Sequence, residues 1–299
     1  MHALLIHGGA GRIPRDLWDD YLAGLRAALL AGGAVLEAGG SALDAICTTV
    51  ATMEDDPLAF NAGTGSAPTS QGTVECDAAV MTGDGRAGAV ACVSTSRNPV
   101  RLARRVLEAS PHVLLVGSGA ESFETNPVPN ASLLTDRARA AWERWNRQQA
   151  EPEGTATCGA AALDQRGKLA AATSTGGVLG QWPGRVGDAP IPGAGTWADA
   201  GVAIGCTGRG EAFLTTAAAR TLALDLERGA EPEVAVAARL TAVRAAGGEG
   251  GLIALARDGT MLVGYDTPNL AWGRCTPYGE SWEVGEVPAV RRFAPMLGT

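Results

Sequence analysis

The sequence predicts an α+β fold of stacked layers, and three patterns support this prediction. Strand-like and helical segments occur in blocks, whereas a doubly wound sheet would show strict alternation of the two. A chain of 299 residues, of which 46% are hydrophobic and 19% charged, can bury a large core. A strand-turn-strand pattern also opens directly after a polar segment in mid-chain, which indicates that a new strand begins there.

The first half combines short strands with two long helices. Apolar runs with strand character occupy residues 3–6, 74–81, 87–93 and 113–116. Helical periodicity covers residues 17–36 and 42–53. The last strand runs into Gly117-Ser118-Gly119, which resembles the start of a phosphate-binding loop. Because a third glycine and a suitably spaced acidic strand are missing, we interpret these three residues as a turn.

The character of the chain changes at residue 123. The segment 123–156 contains the Pro/Asn-rich ETNPVPNAS, a polar amphipathic helix at about 135–149, and the acidic EPEGTA. We predict that this segment is a linker.

The second half begins with CGAAALD, a QRGK turn and KLAAATS, which is typical of two buried strands joined in a hairpin. The Asp-Gly turn of GLIALARDGTMLVGY predicts a closing hairpin. Between these hairpins the sequence predicts a strand at 201–206 and helices at 211–226 and 234–245.

Composition excludes several function classes. Clustered basic residues are absent and the net charge is −8, which argues against a nucleic-acid partner. We expect no membrane span, because no apolar run is long enough, and we expect no signal peptide, so we predict a cytoplasmic protein. With three histidines, one lysine and six scattered cysteines, the chain offers few groups for His-based, Schiff-base or zinc chemistry.

The region from Thr157 to Glu211 is too polar and too rich in glycine to consist of core strands alone. Glycines at this density allow backbone N–H groups to approach a ligand closely. Three threonines at predicted strand ends, Thr157, Thr175 and Thr207, would add hydroxyl groups if their strands are adjacent. The region therefore predicts a binding pocket.

Five segments carry a resemblance to a known family. They are HGGAG (residues 7–11), FNAGTGS (60–66), TSTGG (173–177), PGRVGD (183–188) and TGRGE (207–211). Their order over nearly the whole chain resembles that of the plant-type asparaginase and isoaspartyl peptidase family, a group of N-terminal-nucleophile hydrolases. The resemblance implies a four-layer αββα sandwich formed by a single domain, residues 1–299.

The resemblance also implies self-cleavage. The precursor would be cut between Ala156 and Thr157 into an α subunit, 1–156, whose flexible linker spans about 123–156, and a β subunit, 157–299. Thr157 would then be the nucleophile. A threonine hydroxyl needs a base, and a new α-amino group with an ordinary pKa of about 7.7–8.0 is suited to that task near neutral pH.

The remaining site residues follow from the same resemblance. Thr175 would support the nucleophile, Thr207 and Gly208 would form an oxyanion hole, and Asn61 would lie close to Thr157. A substrate's α-carboxylate and α-amine would be bound by Arg185 and Asp188, with backbone contacts from Gly208 and Gly210. L-asparagine and β-aspartyl dipeptides share this head group, and both are expected substrates.

Further family traits are expected as well. The loop from Met53 to Phe60 corresponds to one that binds a structural sodium ion through backbone carbonyls, although MEDDPLAF differs from it in detail. No other cofactor is expected. The assembly implied is a homodimer of processed α/β heterodimers.

Two positions depart from the family pattern. Ala156 replaces the usual Gly or Asp before the nucleophile, and Arg209 stands where a small residue is common, so that a long cation either borders the pocket or points to solvent. The alternatives left open are a glycosylasparaginase, a taspase-like hydrolase, an unprocessed binding protein for aspartyl compounds, and a nucleotide-binding module at residues 117–119.

Overall fold

The computed structural model describes residues 1–148 and 157–295, and its strands form two sheets. The strands are β1 Ala3–Gly11, β2 Cys76–Thr82, β3 Ala87–Val93, β4 Leu114–Val116, β5 Cys158–Leu163, β6 Leu169–Thr175, β7 Thr196–Ala198, β8 Val202–Gly208, β9 Gly250–Ala256, β10 Met261–Tyr265, β11 Asn269–Thr276, β12 Gly279–Gly285 and β13 Ala289–Phe293. The helices are α1 Trp18–Glu37, α2 Ala42–Glu54, α3 Pro99–Ala109, α4 Gly117–Glu121, α5 Asp136–Gln148, α6 Gly210–Thr216, α7 Ala218–Glu227 and α8 Pro232–Ala245.

The larger sheet has eight strands in the order β12-β11-β1-β5-β6-β2-β3-β4. Its pairs are antiparallel except for the parallel pair of β3 and β4. The smaller sheet has five antiparallel strands in the order β13-β10-β9-β8-β7. This combination of helices with largely antiparallel sheets confirms the predicted α+β class.

Alternation along the central strands directs apolar side chains to two faces of each sheet. Leu4 and Ile6 of β1 belong to a core cluster shared with α1, α2 and α3, whereas Leu5 packs in a second cluster with residues of β9 and β10. A third cluster joins the other face of the smaller sheet to α6, α7 and α8. Strands β5 and β6, which lie at the centre of the larger sheet, each contain three consecutive alanines and are buried throughout.

The sequence predicted most of the long elements within a few residues. Strand β3 and the start of α2 coincide with the predicted bounds, and β1 is longer than predicted, reaching Gly11. Three features were missed, namely α3, the short strand β7 and the C-terminal strands β11 to β13. The interpretation of residues 117–119 as a turn was wrong, because they form the first part of α4.

The segment that we predict to be a linker contains packed structure over its described part. Leu133 is fully buried, and the Trp142 indole in α5 donates a hydrogen bond to the Thr69 carbonyl at 2.9 Å. Residues 149–156 of this segment, including Ala156, lie outside the described residues. No helix in the described part of the chain is both long and apolar enough to cross a membrane.

The fully buried carboxyl of Glu54 links the end of α2 to the start of α3. Its Oε1 accepts a hydrogen bond from the Val100 backbone N–H at 2.9 Å. Burial raises the pKa of Glu54 to about 8, against an ordinary value of 4.5, although hydrogen bonds oppose the shift. The folded protein therefore holds this group protonated at neutral pH.

Replacing Glu54 by Gln is expected to flatten the dependence of stability on pH. In the wild type the unfolded state releases the Glu54 proton above pH 4.5 and the folded state only near pH 8, so this group lowers stability progressively across that window. Thermal unfolding between pH 5 and pH 8 measures the effect, with exposed Glu143→Gln on α5 as control. Parallel pH curves for wild type and Glu54→Gln would contradict the assignment.

Candidate active site

Thr157 and Thr175 meet at one end of the central strand pair. Thr157 directly precedes β5 and is 5% exposed, and Thr175 ends β6. Because Cys158 pairs with Ser174 in the antiparallel register, the two threonines are neighbours. The Thr157 hydroxyl donates a hydrogen bond to Thr175 Oγ1 at 3.1 Å, and Thr175 Oγ1 also accepts one from the Gly177 N–H at 3.0 Å.

Thr207 and Gly208 come from the other sheet, at the end of β8. The Ala10 N–H of β1 donates a hydrogen bond to Thr207 Oγ1 at 3.3 Å, which ties the two sheets together at this point. Gly208 has a φ of 141°, and a Cβ here would overlap the Glu249 carbonyl oxygen. The backbone path after Thr207 therefore requires glycine.

His7 relates these two strand ends to each other. Its ring lies between the sheets, where a Cβ on Gly159 of β5 would overlap Nε2 and one on Gly205 of β8 would lie 3.2 Å from it. Thr157 and Thr207 are each two residues away from one of these glycines. Burial lowers the pKa of His7 to about 3, so the ring is neutral at neutral pH. His7 itself lies within β1.

Asn61 binds the turn that follows β6. Its Nδ2 donates a hydrogen bond to the Gly177 carbonyl at 2.7 Å, and its backbone carbonyl accepts one from the Gly176 N–H at 2.8 Å. The Asn61 Oδ1 accepts from the Ala67 N–H at 2.7 Å. Asn61 thus approaches the Thr175 end of the site through this turn.

Arg185 and Asp188 converge on Gly210. A Cβ on this glycine would lie 2.8 Å from Arg185 Nη2 and 3.0 Å from Asp188 Oδ1, so its missing side chain leaves space beside both groups. Arg185 Nε and Nη2 lie 3.1 Å and 3.0 Å from Glu211 Oε1. The guanidinium is therefore already oriented by a half-exposed carboxylate, which holds one of its edges.

Asp188 is a buried carboxylate whose Oδ2 has no hydrogen-bond partner among the described residues. Burial raises the pKa of Asp188 to about 7; Arg185 opposes the shift, while Glu211 and Asp77 add to it. Such a group is ready to accept a cationic hydrogen-bond donor.

Two acidic residues of this region were missed as site residues by sequence reasoning. Glu211 lies inside the TGRGE segment, and its position there was the available signal. Asp77 of β2 accepts hydrogen bonds from Cys92 N–H at 2.9 Å and Gly187 N–H at 3.5 Å, and burial raises its pKa to about 7. Nothing in CDAAV marks this aspartate, because its partners are distant in sequence.

A cleft of about 1270 Å³ opens beside Arg185 and Glu211. Its walls carry backbone from the Gly-rich segments, the 82% exposed Trp182, and three further arginines. These are Arg12, Arg209 and Arg244. Arg209 thus borders the cleft, which decides between the two positions that the sequence left open.

The loop after α2 has carbonyl groups that suit a hard cation. The carbonyl oxygens of Phe60 and Pro57 lie 3.4 Å and 3.6 Å from the position of a Cβ on Gly65, so both face the same small space. Oxygen ligands of this kind are those that hard cations prefer. Among residues 1–148 and 157–295 there is no group of three or more His, Cys, Asp or Glu placed to hold a metal.

Comparison with known proteins agrees with the segments described above. Residues 1–282 match a family model described as asparaginase. The chain is 39% identical to an isoaspartyl peptidase/L-asparaginase of Xenopus laevis, with 90% of each chain covered. It is 42% identical to an isoaspartyl peptidase of Salmonella typhimurium strain LT2 and 41% identical to one of Escherichia coli strain K12, covering 90% of this chain and 94% and 92% of those proteins.

The family match covers nearly the whole chain. The structure adds threonines at adjacent strand ends and an Arg–Asp pair beside a cleft. The chain belongs to the asparaginase family.

Proposed function

We propose that the chain hydrolyses the side-chain amide of L-asparagine and the isoaspartyl bond of β-aspartyl dipeptides. The observation that carries this proposal is the 3.1 Å hydrogen bond between the hydroxyls of Thr157 and Thr175, at the first residue of the predicted β subunit. The relatives are an isoaspartyl peptidase/L-asparaginase and an isoaspartyl peptidase, which supports the same two activities.

The packing of helices on the outer faces of the two sheets supports a more specific fold. One apolar cluster lies between α1 to α3 and the larger sheet, a second between the two sheets, and a third between the smaller sheet and α6 to α8. This order supports a four-layer αββα sandwich of the N-terminal-nucleophile hydrolase type. We infer a single domain that cleaves itself between Ala156 and Thr157. The product would be a homodimer of α/β heterodimers in the cytoplasm, with no cofactor other than a structural sodium ion held by carbonyls such as those of Pro57 and Phe60.

Cleavage would give Thr157 an α-amino group as its own base. The amine takes the hydroxyl proton as Oγ1 attacks the β-carbonyl carbon of the substrate, and it later gives a proton to the leaving nitrogen. The bond between the carbonyl carbon and that nitrogen breaks, leaving an acyl-enzyme on Thr157. Water then attacks the ester and releases L-aspartate. No histidine is required, in keeping with the neutral, buried state of His7.

Other residues would stabilise the charges of this reaction. Thr175 would orient the nucleophile, Asn61 would hold the turn behind it, and Thr207 with the backbone of Gly208 would donate hydrogen bonds to the oxyanion. Arg185 would bind the α-carboxylate with the edge of its guanidinium that Glu211 leaves open, and Asp188 would accept the α-ammonium.

Replacing Thr157 by Ala is expected to abolish both cleavage and hydrolysis, because the hydroxyl is the attacking group in each. We expect a loss of at least about a thousandfold in kcat/KM. Denaturing electrophoresis with mass spectrometry detects a fragment that begins at Thr157, and ammonia release from L-asparagine measures turnover. The control is Thr215→Ala on α6, an exposed threonine.

A wild-type chain that stays whole at neutral pH, or a Thr157→Ala variant with full activity, would contradict the mechanism. An intact chain that still binds L-aspartate would instead support the unprocessed binding protein.

Replacing Thr207 by Ala is expected to slow the chemistry without preventing folding. Losing one oxyanion donor commonly costs about 2.7–4 kcal/mol, which corresponds to roughly 10²–10³ in kcat. Substrate affinity should change far less. Steady-state kinetics with β-Asp-Leu separates the two, and a variant in which only KM rises would show that Thr207 acts in binding rather than on the oxyanion.

The binding of L-aspartate is expected to weaken as the pH falls below 7. Its ammonium requires ionised Asp188, and the raised pKa of about 7 means that protons compete with the ligand below this value. The inhibition constant should rise by about tenfold for each pH unit below 7. Inhibition by L-aspartate between pH 5 and 8 tests this, and Asp188→Asn should bind weakly with a flat profile. A profile that keeps its slope in this variant assigns the titration to another group.

A further inference from the structure

The cleft beside Arg185 is lined by more basic than acidic side chains. Two of its four arginines are neutralised, because Arg185 pairs with Glu211 and Arg244 Nη2 lies 2.9 Å from Asp266 Oδ2. Arg12 and Arg209 are exposed and form no salt bridge in the described part of the chain, although the charge of Arg209 contributes to the lowered pKa of Glu211. Of the acidic residues that line the cleft, Glu249 alone is not held by an arginine there.

Arg12 directly follows β1 and Arg209 directly follows β8. These two strands meet beside the proposed nucleophile. The hydrogen bond from Ala10 N–H to Thr207 Oγ1 joins β1 and β8, and each arginine lies two residues beyond one of its partners. Two residues span at most about 7 Å. Both residues therefore lie a short distance along the chain past the predicted oxyanion hole, one from each sheet.

This distance suits the second residue of a β-aspartyl dipeptide. Its Cα lies about 3.8 Å from the aspartyl Cβ across the scissile amide, and its α-carboxylate follows directly. L-asparagine has only an NH₂ group at this position and places no charge there. The two substrate types thus differ in the one group that unpaired arginines recognise best.

We propose that Arg12 and Arg209 bind the α-carboxylate of the leaving amino acid and so make β-aspartyl dipeptides better substrates than L-asparagine. This inference rests on the proposed function. Arg209 is fixed at the cleft by its backbone. Its Cβ lies 3.3 Å from the Cβ position of Gly248, and its backbone N–H donates a hydrogen bond to the Glu249 carbonyl at 2.9 Å. The backbone from which the Arg209 side chain extends is therefore held in place.

Three substrates isolate this carboxylate: L-asparagine, β-Asp-Leu, and β-Asp-Leu with its C-terminus amidated. The wild type is expected to favour β-Asp-Leu over its amide by about tenfold or more in kcat/KM, mainly through a lower KM. Because the arginines are exposed, raising the salt concentration from about 0.05 to 0.5 M should reduce this preference.

The variants Arg12→Gln and Arg209→Gln should each lower the preference, and the double variant should bring it close to one while still releasing ammonia from L-asparagine. Arg244→Gln, which removes an arginine of the same cleft that is already paired with Asp266, is the matched control and should keep the wild-type preference. Recovery of the Thr157 fragment from each variant verifies folding and processing.

The outcomes separate the two proposals. A wild type that hydrolyses neither L-asparagine nor β-Asp-Leu would show that the proposed function is wrong. A wild type that hydrolyses β-Asp-Leu and its amide equally well, or a double variant that keeps the wild-type preference, would overturn the carboxylate site and leave the proposed function intact.

Discussion

The antiparallel pairing of β5 with β6 is the constraint on which the rest of the site depends. Its register places Cys158 opposite Ser174, and this alone brings the hydroxyls of Thr157 and Thr175 into contact. A shift by one residue would turn every side chain of one strand to the other face, which the buried alanines on both faces oppose. Strand β1 pairs with the other edge of β5, and Ala10 then reaches Thr207 in the second sheet. The site is therefore a consequence of sheet register.

The electrostatics of the site are unbalanced until a ligand arrives. Asp188 is buried with an unsatisfied oxygen, and the guanidinium of Arg185 is held on one edge by Glu211. An uncompensated buried carboxylate is unfavourable, and its pKa rises accordingly. In the proposed binding mode, a zwitterionic head group would supply a cation for Asp188 and an anion for the open edge of Arg185. Both charges of such a ligand are needed for full compensation, so molecules with only one of them gain less.

Local patterns predicted the local parts of this molecule. The β5–β6 hairpin, α1 and α2 followed from periodicity and turn residues, and the family resemblance singled out Thr157 and Thr175, whose hydroxyls are in contact in the structure. Helix α3 was missed although Pro99 stands at its start, as is common for first helical positions. The pairing of Glu211 with Arg185 joins a helix to a loop 26 residues away, and the position of His7 depends on β1, β5 and β8 coming together. Such long-range packing has no signal in a single sequence.

The three residues from Gly208 to Gly210 differ in how freely their side chains can be changed. Gly208 accepts no side chain because of the Glu249 carbonyl, and a side chain on Gly210 would occupy the space beside Arg185 and Asp188. The residue between them faces neither restriction, since Arg209 is exposed at the cleft. In the proposed mechanism, a substitution there would change the charge that the leaving group meets and would leave the oxyanion and head-group contacts in place. The steric restrictions at Gly208 and Gly210 thus leave Arg209 as the one position of the three that tolerates a change of side chain.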